Sequence, residues 1–175
     1  MDSSLAAGPV IVARCPALHP GDVQYVDMVI PPPSHPLRHL RNCIVFSQRG
    51  SRDLPSQLSG GDLDGDLYNV IWDKRARPKV RFTPADYPRV APPELDRPVT
   101  RDDIATFFIN FMKSDILGLI ANRHQILADV EERGTSDARC IKLAEMHSTA
   151  VDYSKTGIAV SYQDMPKAPR SRPDL

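Results

Sequence analysis

Over the first seventy positions apolar residues come in short runs, each closed by Gly, Pro, Asp or Ser, and this pattern predicts β-strands joined by loops. The runs fall at residues 10–13, 23–30, 43–46 and 67–72. The turn His19-Pro20-Gly21-Asp22 separates the first two. After the second, Pro31, Pro32, Pro33 and Pro36 force an extended connection, because proline fixes φ and restricts the residue before it. Between residues 74 and 99 the pattern lapses. Pro78, Pro84, Pro88, Pro92, Pro93 and Pro98 stand there among charged residues and predict a linker, with a domain boundary near residue 98.

Beyond that boundary the period lengthens from about two residues to about 3.6. Ile104, Phe107, Phe108 and Phe111 share one face of a first helix, with Thr100 as its N-cap and Asp102 and Asp103 in its first turn. A second helix is expected over residues 115–130, with Ile116, Leu119, Ile120, Leu127 and Val130 on its apolar face and Gly134 beyond its end. Ser136 then caps a third, in which Cys140, Leu143, Ala144, His147 and Val151 align. The three helices are expected to pack together and onto the β part. From residue 161 onward Pro166, Pro169 and Pro173 interrupt a stretch without periodicity, which predicts an extended or mobile tail. The fold class is therefore α+β, divided into 1–73, 74–99, 100–160 and 161–175, with no internal repeat.

A chain of 175 residues with 41% hydrophobic content can build one core plus a smaller element. Lysine and arginine number 22, and so do aspartate and glutamate, so no global field draws nucleic acid and any phosphate contact must come from a local basic patch. Cys15, Cys43 and Cys140 are odd in number and far apart, which argues against a disulfide framework or a zinc site. An intracellular setting, nucleus or cytoplasm, is expected. Residues 5–12 are apolar but short, contain Gly8 and Pro9, and follow no basic residue, unlike a signal peptide or a membrane span. No membrane partner is expected. The strand-like run at 10–13 starts almost at Met1 with nothing before it to pair with, which predicts missing upstream chain.

The chemistry concentrates in Ser59-Gly60-Gly61-Asp62-Leu63-Asp64-Gly65-Asp66-Leu67. Three carboxylates at i, i+2 and i+4 repel one another unless a cation sits among them. On a regular strand they would stand roughly 7 Å apart at each step, whereas oxygens on one Mg²⁺ lie about 2.1 Å from it, so the backbone must curl. Gly60, Gly61 and Gly65 supply that freedom. An all-oxygen ligand set favours Mg²⁺, Mn²⁺ or Ca²⁺ over zinc or copper. A solvated acidic turn is the plain alternative. An EF-hand fails, because it needs glycine and glutamate where Leu67 and Asp73 stand. A haloacid-dehalogenase-type phosphatase also carries Asp-x-Asp-Gly, but there an apolar strand precedes the motif; here residues 55–61 are polar and the apolar strand follows.

Four ordered blocks carry a resemblance: CPALHPGDVQ (15–24), LRHLRNCIVFSQRG (37–50), SGGDLDGDLYNVIWD (59–73), and the helical run with DILGLIANRH (115–124) and AVDYSKTG (150–157). Together they resemble the C-terminal catalytic segment of the eukaryotic RNA-dependent RNA polymerases of RNA silencing. Two places depart from the family pattern: Arg49 stands where the family usually has lysine, and arginine does not replace lysine simply at a phosphate; residues 52–58 differ from the usual approach to the aspartates.

The resemblance implies that residues 1–73 form part of a double-psi β-barrel carrying the metal loop, followed by a small helical subdomain. It implies an RNA template and product, nucleoside triphosphates as substrates, and the missing N-terminal part of the same polymerase as partner. Asp62, Asp64 and Asp66 would be both catalytic residues and ligands of Mg²⁺, with Mn²⁺ as substitute, for attack of an RNA 3′-hydroxyl on an α-phosphate. Arg38, Arg41, Arg49 and Arg52 form a basic cluster that could meet phosphates, Arg49 foremost. Lys155 and Gly157 match the family's Lys-Thr-Gly block, with a structural or substrate-facing role. His35 and His39 read as turn residues, and Tyr68 and Trp72 as core. The alternative is a truncated, non-catalytic relic that binds metal or RNA; as an isolated chain of 175 residues it is expected not to polymerise.

Overall fold

The computed structural model describes residues 7–88 and 90–169. The chain divides into two compact units, Met1–Asp86 and Tyr87–Leu175, so the division falls inside the proline-rich stretch.

In the first unit, strand β1 (Gly8–Arg14) lies between β2 (Val23–Met28) and β3 (Tyr68–Ile71), antiparallel to both. Val12 stands opposite Gln24 and Val70, and Ile11 opposite Tyr25 and Ile71. Because side chains alternate across a strand, Val10 and Val12 face one side. There they form a core with Leu58, packed round by Val26, Met28, Phe46, Leu54, Tyr68 and Val70. Ile11 is buried on the opposite side. Burial on both faces explains why β1 reads as an unbroken apolar run.

Residues 43–46 form no strand, contrary to expectation. Only Phe46 is held, edge-on to the Tyr68 ring with centroids 5.0 Å apart, while Ile44 and Val45 are exposed. Apolarity without a ladder partner does not make a strand. β2 stops at Met28, short of the prolines, and the chain makes one 3₁₀ turn at Pro36–His39, starting where proline is tolerated. At the 19–22 turn a Cβ on Gly21 would stand 2.0 Å from the Thr83 carbonyl oxygen, so glycine is required for the backbone of residues 83–84 to lie there.

The second unit is helical. Helix α1 (Arg101–Ser114) starts with the expected Thr100 cap, reciprocated by Asp103, whose carboxylate also takes a two-pronged bond from Arg97 at 2.6 and 2.7 Å. Helices α2 (Leu117–Val130) and α3 (Ala138–Val151) bury Ile120, Leu127, Cys140, Leu143 and Met146 in a common core. The third helix is capped by Asp137 rather than Ser136. Ser136 ends a 3₁₀ turn, and the Asp137 carboxylate accepts the Arg139 amide at 2.9 Å.

Two further expectations are corrected. No residue of α1 is buried: Phe107 and Phe111 rest on the Tyr153 ring of the short helix α4 (Tyr153–Thr156), while Ile104, Phe108 and Met112 stay exposed. Residues 161–169 are not loose. A 3₁₀ turn at Tyr162–Asp164 brings Met165 into the α2–α3 core, and Arg123 donates to the Pro166 carbonyl and the Tyr162 hydroxyl. Residues 170–175 of the expected tail lie outside the described residues. The apolar stretch 101–130 has the length and composition of a membrane span. It is nevertheless two helices of 14 residues each, broken at Asp115 and Ile116; each is about 21 Å long against a hydrocarbon core of about 30 Å.

Candidate metal centre

The acidic loop is rooted before it turns. A 3₁₀ turn at Pro55–Gln57 drives Leu58 into the sheet core, where it is fully buried. The Gly61 amide donates back to the carbonyls of Pro55 and Leu58, at 3.0 and 3.2 Å. Arg14, at the end of β1, donates through Nη1 to the Ser59 carbonyl at 3.0 Å, and the Ser59 hydroxyl donates to the Pro16 carbonyl at 2.8 Å.

Above this root the backbone curls instead of running as a regular strand. Gly60 and Gly65 take φ of +67° and +133°. Ser59 and Leu63 also take positive φ, +53° and +72°, a strain of roughly 1–3 kcal/mol each that the anchored root sustains. Gly61 is needed for a different reason than its neighbours: a Cβ there would stand 2.5 Å from the Tyr68 hydroxyl and 3.0 Å from the Pro55 carbonyl.

Asp62, Asp64 and Asp66 each offer an oxygen within 4.8 Å of the others. Two ligands of one Mg²⁺ stand at most about 4.2 Å apart, and two of one Ca²⁺ about 4.8 Å. At most one pair of three ligands can stand trans, and the others lie about 3.0 Å apart round Mg²⁺, so the set fits a divalent ion after closure of up to about 1.8 Å, which falls to the exposed side chains of Asp62 and Asp64. Asp66 is the fixed member. Its side chain is 7% exposed and pairs with Arg14 Nε at 2.5 Å, while Oδ2 accepts the Asp62 amide at 3.1 Å and the Tyr68 hydroxyl at 3.4 Å. Burial works to raise the Asp66 pKa, but the Arg14 contact and the Asp62 amide outweigh it and hold the carboxyl below its ordinary value. Burial, followed by the Asp66 charge, pushes the Tyr68 hydroxyl up to about 12.

The other candidate residues are placed differently. The Arg52 guanidinium is taken up by Ser56 Oγ, the Ser56 carbonyl and the Ala85 carbonyl, which makes it a brace for the chain leading to the loop. Arg41 is exposed and donates to the carbonyls of Arg38 and Leu40. Arg49 is exposed, with its amide on Ser47 Oγ. Lys155 lies in the second unit, 3.7 Å from Asp152, and Gly157 follows in the left-handed region at φ +69°. His35 caps the 3₁₀ turn through Nδ1, as expected of a turn residue, and Trp72 is exposed just past β3 rather than in the core. Arg14 is the participant that sequence reasoning missed: nothing local marks an arginine at a strand end as the partner of a distant loop.

Comparison with known proteins bears on what this arrangement serves. The family model described as RNA dependent RNA polymerase matches residues 2–175. The chain is 41% identical to the Probable RNA-dependent RNA polymerase 1 of Oryza sativa subsp. japonica, over 90% of this chain and 21% of that protein. It is 42% identical to RNA-dependent RNA polymerase 1 of Schizosaccharomyces pombe, over 93% of this chain and 14% of that protein. Among solved structures, the RNA dependent RNA polymerase QDE-1 from Thielavia terrestris superposes with a TM-score of 0.69 at 31% identity, over 91% of this chain and 19% of that one. The chain thus spans about a fifth or less of these relatives. The match along nearly its whole length places it in the RNA-dependent RNA polymerase family.

Proposed function

We propose that this chain is the metal-binding catalytic segment of an RNA-directed RNA polymerase that copies RNA from nucleoside triphosphates and makes double-stranded RNA for silencing in the nucleus or cytoplasm. The observation that carries this reading is the convergence of three carboxylates on a glycine-curled loop in a member of this family. The three-stranded sheet is then one part of a double-psi barrel completed by further polymerase chain. Asp62, Asp64 and Asp66 would hold Mg²⁺, or Mn²⁺ in its place. When bound, the ion supplies charge neutralisation at the reacting phosphate and lowers the pKa of the attacking hydroxyl.

The chain's own residues do the positioning. Arg14 keeps Asp66 ionised and fixed, the Asp66 carboxylate in turn holds the Asp62 amide, and the strained turn at Leu63 aims Asp62 and Asp64 to the same side. The test is Mn²⁺ binding by the purified chain, followed by electron paramagnetic resonance. Asp64→Ala is expected to weaken binding at least tenfold with an unchanged circular dichroism spectrum. Undiminished binding in that variant rules the assignment out.

A further inference from the structure

The stretch after β3 carries Lys74, Arg75, Arg77, Lys79 and Arg81 with no acidic residue among them, in a chain whose formal charge is zero. Arg75 is committed to Asp73, 2.6 Å away. Lys74, Arg77, Lys79 and Arg81 are exposed, and among the described residues no carboxylate forms an ion pair with any of them. The chain bends at residues 79–80. Arg77 and Arg81 thereby both reach the ring of Tyr25 on β2, with guanidinium carbons 5.8 and 4.4 Å from its centroid. Tyr25 stands beside Ile11 and Ile71 in the ladder, on the sheet face opposite Val10, Val12 and Leu58. Two cations are therefore collected over one aromatic ring, which orients them by its quadrupole without neutralising them.

We infer that this segment is a second RNA contact, gripping the phosphates of a single strand independently of the acidic loop; the choice of RNA rests on the polymerase reading above. Guanidinium planes held by a ring keep their forks turned to a phosphate, which an ammonium on a flexible stem does not do. Exposed Trp72 and Phe82 flank the basic run, one at each end, and give unpaired bases a surface on which to stack. Exposed aromatics beside basic residues also suit an anionic lipid surface, so the choice of RNA stands on the polymerase reading and the lipid is an outcome of the test below. β3 joins the two features: Asp66 lies just before it and Lys74 shortly after it.

The experiment uses the purified full chain in EDTA, so that metal-dependent contacts are absent, and a fluorescein-labelled single-stranded RNA of about 12 nucleotides. Binding is read by anisotropy from about 50 to 200 mM salt. Arg77→Gln, Lys79→Gln and Arg81→Gln combined are expected to cost at least tenfold in affinity and to flatten the slope of log K against log salt by about two, at ~0.7 per lost phosphate contact. Tyr25→Phe keeps the affinity and Tyr25→Ala loses several-fold. Removing the same kind of charge elsewhere, with Arg101→Gln and Arg133→Gln, leaves binding within twofold. Unchanged affinity and slope in the triple variant overturn the inference, as does an equal loss in the control variant. Tighter binding to polyglutamate or to phosphatidylserine vesicles than to RNA overturns it too. Mn²⁺ titration of the same preparations separates the two readings: metal binding with RNA affinity indifferent to the triple variant sinks this inference alone, whereas patch-dependent RNA binding without metal affinity sinks the polymerase assignment of the acidic loop.

Discussion

Asp66 faces in two directions. As one of three clustered carboxylates it adds to the negative charge that attracts a cation, and as the partner of Arg14 it is held by a positive charge that opposes one. The geometry resolves this by leaving the two other aspartates exposed and using Asp66 as the fixed post. The hydroxyl of Tyr68, half-buried and beside the Asp66 charge, should ionise late, with a midpoint of about 12. Its pKa is raised on folding, so its contribution to stability is complete below the unfolded value near 10 and is lost as pH rises from 10 to 12. Ultraviolet difference titration checks this, and Asp66→Asn should move the late transition downward. Gly61→Ala should lower stability by about 1–3 kcal/mol in thermal melts, because the new methyl enters the space of the Tyr68 hydroxyl and the Pro55 carbonyl. The clustering of the three aspartates and the positive φ of Gly60 and Gly65 were legible in the sequence because both are local: only a curled backbone can bring carboxylates two residues apart together against their repulsion, and glycine permits it. Arg14 was not legible, since its meeting with Asp66 depends on the strand pairing that carries it there.

Among the elements, periodicity located the helices and three of the four expected strands, and it failed where apolar content lacked a partner. Residues 43–46 have strand composition but no ladder. Helix α1 has an apolar face that the described structure leaves in water except where Phe107 and Phe111 meet Tyr153. The reverse error came at residues 161–169, where prolines suggested a loose tail and one methionine reaches the core. Amide protection should therefore be ranked by packing, not by helix propensity. Hydrogen exchange should find α2 and α3 protected well beyond α1, although each of the three has 14 residues. Met165→Ala should cost roughly 2–5 kcal/mol in the helical unit, read by chemical denaturation, whereas a fraying tail would make the same change silent.

For the molecule as a whole, relatives several times its length carry the same segment, and the present chain supplies an acidic loop and a helical unit. The chain covers 21% and 14% of the two relatives, so most of the surface they carry lies outside it. The purified chain should bind Mn²⁺ yet give no processive extension of a primed RNA template in a gel assay; ladders of extended product would overturn that expectation. Family membership was readable in the order of four motif blocks, because sequence order survives where geometry is hidden. The point within the proline-rich stretch at which the units divide, between residues 86 and 87 rather than near 98, was not readable, because prolines signal irregular backbone without saying which neighbour it leans on: here residues 83–84 lie on Gly21.

The central position of β1 has a mechanical consequence. Its alternation sets Val10, Val12 and Arg14 on one face, the last of them under the acidic loop, so the hydrogen-bond register of the sheet is also the alignment gauge of the three carboxylates. A slip by one place would turn Arg14 to the far face and put Ala13 beneath Asp66. Damage deep in an apolar strand, far from any charge, would then surface first as lost cation affinity, before any gross unfolding.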